Sequence, residues 1–218
     1  MTQHPLEWYF DKKFPTSGFF EMPRIEAQEV ETDDLALIRF SSIIKHETRN
    51  QSATVHFFDP DDRFDEVWKN PEQYISELAQ YQQVLSPDFS LYMNMPMSVQ
   101  VINTFRSRWC GRLWQESGMT VIPIVSWSRT RSFEFCFDGL PEQSVLAVST
   151  VGVMDRQSEF MNGYRYMNKR LKPTQVICYG EPFQEMFEHA PLVLVPYSRT
   201  TRISSRLSYG WPWRSTQG

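Results

Sequence analysis

Apolar positions along this chain fall into short β-branched runs, separated by stretches in which they recur every three or four residues. The runs occupy residues 53–58, 84–88, 121–126, 145–150, 174–179 and 192–196, and each stops at a polar or turn-forming residue. They are rich in Val and Ile and mostly apolar, as expected of strands covered on both faces. Successive starts lie 31, 37, 24, 29 and 18 residues apart, so every interval but the last has room for the crossover helix that parallel pairing requires. Residues 35–40, which include Leu35, Leu37, Ile38 and Phe40, could supply a seventh strand.

The intervening stretches read as helices. Asn70, Pro71 and Glu72 form a start signal, a capping side chain followed by a proline in the first turn, with Tyr74, Ile75, Leu78 and Ala79 on one face behind it. Met97, Val101, Phe105, Trp109 and Leu113 make a stripe at spacing four, and Arg106, Arg108 and Arg112 fall off it. Phe160, Tyr164, Met167 and Leu171 form a further stripe, ended by Lys169, Arg170 and Lys172 at the negative pole of the helix dipole and by Pro173.

These patterns predict an α/β domain on a mainly parallel sheet of six or seven strands with crossover helices, either barrel-like, in the manner of an incomplete TIM barrel, or open. With 218 residues and 41% hydrophobic content the chain can bury one substantial core, and no Gly/Ser linker divides it. The expected layout is an N-terminal segment 1–52 packed on the main domain, an α/β domain 53–198 and a C-terminal tail 199–218. A net charge of -4 gives no overall bias toward nucleic acid or anionic membrane. No apolar run approaches the roughly 18 residues of a membrane span, and no basic segment followed by an apolar one opens the chain, so neither a membrane nor a signal peptide is expected. Cys110, Cys136 and Cys178 have no zinc-like spacing with His4, His46, His56 or His189. Reduced, buried thiols in a cytoplasmic setting are the natural expectation.

In parallel sheets and α/β barrels, ligands bind at the carboxyl ends of the strands, where loops and helix N-termini converge. That rule nominates Asp59, Asp88, Ser126, Thr150, Glu181 and Ser198 as a rim. Asp59, Asp88 and Glu181 are the catalytic candidates, able in principle to share a divalent metal or to act as an acid/base pair. His56, Ser126, Trp127, Thr150 and Tyr179 are the ligand-binding candidates. Local roles compete with these assignments. Asp59, Asp61 and Asp62 precede a helical segment whose N–H groups carboxylates cap, and Asp88 follows a proline in a turn. A calcium loop at Asp59 fails, because Arg63 takes the fifth position and Phe64 stands where the glycine belongs. A histidine inside a strand is more often a core residue than a catalyst, and Cys178 lacks a histidine partner in the sequence. Phosphate loops, dinucleotide fingerprints, metalloprotease helices and serine elbows are absent.

The tail differs in kind. After Glu188 no acidic residue follows, while Arg199, Arg202 and Arg206 lie among Ser, Thr and aromatic residues. Arginines interleaved with aromatics can pair with phosphates and stack on bases, which makes single-stranded nucleic acid or an acidic protein the candidate partner.

The blocks SPDFSLY at 86–92, Met95-Pro96, RSR at 106–108, VIP at 121–123, FEFCFDG at 133–139, AVST at 147–150 and CYG at 178–180 resemble an uncharacterised family, catalogued as a domain of unknown function, that occurs in bacteria, phages and other mobile elements. The resemblance covers somewhat more than half the chain. It implies a soluble intracellular protein of phage or mobile-element type and carries no catalytic assignment. Two functions follow as expectations: an accessory protein that binds a ligand or macromolecular partner, or a metal-assisted hydrolase with its site at the strand ends.

Overall fold

The computed structural model describes residues 13–45 and 50–197. The first element among the described residues is a short antiparallel hairpin of β1 (Thr16–Ser17) and β2 (Met22–Pro23). Four parallel strands follow, β3 (Leu37–Arg39), β4 (Thr54–His56), β5 (Gln83–Leu85) and β6 (Val121–Ile122), hydrogen-bonded in that order. A second parallel sheet contains β7 (Val145–Ser149), β8 (Gln175–Tyr179) and β9 (Leu192–Val195). Five α-helices are described: α1 (Phe40–Ile43), α2 (Glu66–Lys69), α3 (Ile75–Leu78), α4 (Met97–Glu116) and α5 (Gln157–Leu171).

The expected sheet of six or seven strands is thus two sheets, of four and three strands. Pro123 lies at the break and offers no N–H on the edge that faces β7; the next amide on that edge, Val125 N–H, is bonded to Ala147 O at 2.8 Å, while Ile124 N–H turns toward β5 and Ser86 Oγ at 2.9 Å. A single parallel bridge, Ile124 to Ala147, spans the gap. Among the described residues no ladder joins β3 to β9, so hydrogen bonding closes no barrel.

Alternation along the strands sorts their side chains into three clusters. Val55 and Val84 point outward to α2, α3 and α4, where Phe57, Phe64, Trp109, Leu113 and Trp114 form one core. Leu146, Val148, Val176 and Cys178 face α5 and its Phe160, Tyr164 and Met167. On the opposite faces, Leu37, Leu85, Ile122, Ile124, Ala147, Ile177 and Val195 meet in a third cluster shared by both sheets. Both faces of the sheets are therefore covered, as the apolar runs anticipated, except at β9, where Leu194 is exposed.

Two helix expectations change. Asn70 ends α2, its N–H bonded to Glu66 O at 2.8 Å, and only four residues beyond Pro71 and its turns are helical. In α4 the buried face begins polar: Gln100, Asn103, Thr104, Ser107 and Arg108 are buried, whereas Val101 and Phe105 of the apolar stripe are only partly covered. Hydrogen bonds make that burial tolerable. Gln100 Nε2 donates to Met95 O at 2.8 Å and Asn103 Nδ2 to Ser90 O at 2.8 Å. Arg108 donates to the carbonyls of Cys136, Ile124 and Asp138 at 2.7, 3.1 and 3.1 Å. Burial lowers its pKa to about 10, so at neutral pH it stays a cation that staples α4 to the following loops. The α5 stripe is buried as expected, and Lys172 in the left-handed region (φ 48°) ends that helix before Pro173.

Candidate functional site

The parallel ladders bring all seven carboxyl ends of β3 to β9 to one side of the shared cluster, and the last inward-facing position of each strand decides what a ligand would meet. On β3, Arg39 lies two residues beyond inward-facing Leu37, and it pairs in register with His56 of β4. His56 precedes inward-facing Phe58 by two positions, as Ile177 precedes Tyr179 on β8. The rings confirm the meeting point: Phe58 and Tyr179 stack at 4.8 Å with 8° between their planes, and the His56 ring lies 5.1 Å from that of Tyr179. Tyr197, just past β9, brings its ring to 5.9 Å from Tyr179 and holds the Arg39 guanidinium at 5.8 Å from its centroid.

The electrostatics of this mouth follow from burial. His56 is 0% exposed, and loss of solvation together with the nearby Arg39 charge lowers its pKa to about 3. The ring is therefore neutral at physiological pH. Its Nδ1 accepts the Phe58 N–H at 3.2 Å, so the ring proton resides on Nε2. Neither that Nε2 nor Arg39 Nε, both buried, has a hydrogen-bond partner among the described residues. Asp59 lies nearby, with its carboxylate accepting Ser41 Oγ at 2.8 Å and facing Arg63 at 3.9 Å.

A second polar cluster sits at the ends of β5 and β6. Asp88 Oδ1 accepts Ser126 Oγ at 2.5 Å beside a crevice of about 10 Å³ lined by Asn103, Ser107 and Arg108 among others, room for about one water molecule. Desolvation raises the Asp88 carboxyl to about 7, reinforced by Asp61 and opposed by the Ser126 hydrogen bond and Arg108. Asp61 accepts Ser90 N–H and Ser90 Oγ, the latter at 2.7 Å.

The candidates chosen from sequence therefore scatter. His56 and Tyr179 meet, Asp88 and Ser126 meet, and Asp59 lies beside the first pair. Glu181 is exposed in the loop after β8. Among the described residues no three His, Cys, Asp or Glu side chains are grouped to hold a metal ion, so Asp59, Asp88 and Glu181 are not gathered into the shared cation site envisaged for them. Trp127 packs on α5, 5.0 Å from the Phe160 ring, where Gly163 leaves the space its indole fills. Thr150 is buried, its N–H donated to Tyr179 O at 3.0 Å, so it ties β7 to β8. Cys178 is buried and pushed up to about 11, which leaves no thiolate nucleophile at neutral pH. Ser198, Arg199, Arg202 and Arg206 lie outside the described residues. Sequence reasoning missed Arg39, although a lone cation two residues after Leu37 in an apolar run was a usable signal of a strand-end position. No helix among the described residues is long and apolar enough to cross a membrane.

Comparison with known proteins adds a family. The family described as Domain of unknown function (DUF4417) matches residues 14–197. The chain is similar to the Gene 1 protein of Mycobacterium phage L5, 36% identical over 171 residues that make up 77% of this chain and 74% of that protein. It is also similar to the Gene 1 protein of Mycobacterium phage D29, 34% identical over 170 residues, and there it spans 63% of the relative's length, under two thirds. No solved structure matches.

Proposed function

We propose, from the premise that this chain belongs to the DUF4417 family of uncharacterised, phage-type proteins, that it is a binding protein whose small-molecule ligand enters at the carboxyl ends of β3, β4, β8 and β9. The observation that carries this reading is the convergence of Arg39, His56, Tyr179 and Tyr197 on the inner side of the strands, where segments far apart in sequence meet. Polar groups placed around aromatic faces are what small-ligand sites require. The finer architectural reading is a barrel-like but incompletely laddered arrangement. It is supported by the Ile124 to Ala147 bridge and by the cluster shared by six of the seven parallel strands and by Phe58 just past β4. In such an arrangement the mouth is the expected ligand entrance.

The test is a fragment screen on the full chain, mixing anionic, cationic and neutral aromatic compounds, read by NMR of the aromatic side chains. Hits should shift the Phe58, Tyr179 and Tyr197 rings. Fragments that shift only rings elsewhere, or none at all, overturn the reading.

A second reading, acid/base chemistry of hydrolytic type, is favoured by one observation, the Asp88 carboxyl raised to about 7 next to a crevice. A carboxyl that exchanges its proton near neutrality beside the Ser126 hydroxyl suits proton transfer. Loss of a hydrolytic activity in Asp88→Asn with an unchanged fold supports it, and retained activity refutes it.

A further inference from the structure

The mouth contains two donors whose hydrogens point at no acceptor among the described residues, and both belong to one rung of the β3–β4 ladder. His56 offers Nε2–H, because its Nδ1 lone pair is already committed to the Phe58 amide. Arg39 offers Nε–H, which has no acceptor among the described residues although its guanidinium reaches Tyr179 and lies over Tyr197. Buried donors are nearly always satisfied in folded proteins, and each orphan carries a desolvation cost that an acceptor would recover. The Asp59 carboxylate acts on the Arg39 charge but gives its Nε–H no hydrogen bond; it accepts Ser41 Oγ and faces Arg63.

We propose that this mouth, taken as the ligand site described above, holds an oxyanion, accepted between Nε2–H of His56 and Nε–H of Arg39. The deduction rests on the ligand-site reading and adds the chemistry of the ligand. A pair made only of donors, one of them on a permanent cation, repels metal and ammonium ions and favours a group with several oxygen lone pairs. Carboxylate and phosphate share that chemistry. The stacked Phe58 and Tyr179 rings and the Tyr197 ring supply an apolar, aromatic surface beside it, which suits an oxyanion attached to a flat apolar body.

Three probes of similar body separate the cases: phenyl phosphate, benzoate and benzyl alcohol, titrated into the full chain and followed by NMR of the His56 ring nitrogens and of the Phe58, Tyr179 and Tyr197 rings. Without ligand, His56 should show Nε2 protonated and Nδ1 bare; a proton on Nδ1 overturns the proposal. At least one anionic probe should bind tenfold or more tightly than benzyl alcohol and move the His56 Nε2–H resonance, and the tighter of the two identifies phosphate or carboxylate as the preferred group. Arg39→Gln and His56→Phe should each weaken that binding at least tenfold. Equal binding of all three probes at these rings overturns the oxyanion assignment and leaves the ligand site standing. Absence of any shift at these rings overturns both. Arg39 is only partly buried and Arg39→Gln removes no apolar contact of the core, so it remains informative should His56→Phe fail to fold.

Discussion

Replacing His56 by Phe should remove most of the acid sensitivity that this one residue imposes on the fold. In the unfolded chain its imidazole titrates near its ordinary value of about 6.5, whereas burial in the native protein lowers it to about 3. Between those values the unfolded state binds a proton that the native state refuses, so stability falls as the pH drops through that window and is unaffected above it. The slope is about 1.4 kcal/mol per pH unit, which accumulates to about 2 kcal/mol at about pH 5. Asp88, raised to about 7, works in the opposite direction but is present in both proteins and cancels in their difference. At neutral pH the variant loses the acceptor for the Phe58 N–H and also the orphan Nε2–H, a net change of about 1 kcal/mol. The assay is urea unfolding followed by tryptophan fluorescence at several pH values from about 7.5 to about 5. The stability difference between wild type and variant should shift in favour of the variant by about 2 kcal/mol across that range. Parallel stability curves for the two proteins would refute the neutral, buried histidine and with it the tautomer on which the oxyanion site depends.

Asp88→Asn keeps an acceptor for Ser126 Oγ while removing a carboxyl whose native proton affinity exceeds that of the unfolded chain. It should stabilise the fold above pH 7 by about 1–2 kcal/mol, less than the full shift would give because the side chain is partly open to water, and the gain should fade toward pH 4 in chemical denaturation. Gly163→Ala would place a methyl group 2.2 Å from Trp127 Nε1, so it should lower the stability by about 1–3 kcal/mol and alter the Trp127 emission. Arg108→Met leaves the carbonyls of Ile124, Cys136 and Asp138 without their donor and should cost about 3 kcal/mol or more, read as a lowered melting temperature. Cys110, Cys136 and Cys178 are buried with their thiols pushed up by desolvation, so a disulfide-exchange reagent should react with all three in denaturant and far more slowly in the native protein.

The strand positions were legible because most of the strands are covered on both faces, so they stand in the sequence as short, mostly apolar runs rich in Val and Ile. Residues 145–150 and 174–179 anticipate β7 and β8 to within one residue at their ends. Helix α5 was legible for the related reason that Phe160, Tyr164, Met167 and Leu171 bury one stripe. The first half of helix α4 misled, since the face it buries there is polar and only specific hydrogen bonds, from Arg108 above all, make that burial tolerable, whereas Trp109 and Leu113 of the stripe are buried as expected. A hydropathy pattern carries no information about where a partner carbonyl will be. The ladder between β6 and β7 is interrupted at Pro123, whose missing N–H matters only because that edge faces β7, a neighbour the sequence does not reveal.

The site divides the same way. Sequence alone identified the parallel strand-and-helix repeat and hence the side of the molecule to search, because periodicity and connection length are local properties of the chain. It placed His56 and Tyr179 on that side, and it grouped Asp59, Asp88 and Glu181 there without any means of measuring the distances between them. Only the tertiary structure decided that Arg39 stands beside His56, that the His56 ring proton is on Nε2, and that the three acids do not gather. Those facts depend on ladder register and on the packing of strands more than a hundred residues apart, and neither is encoded in any one segment.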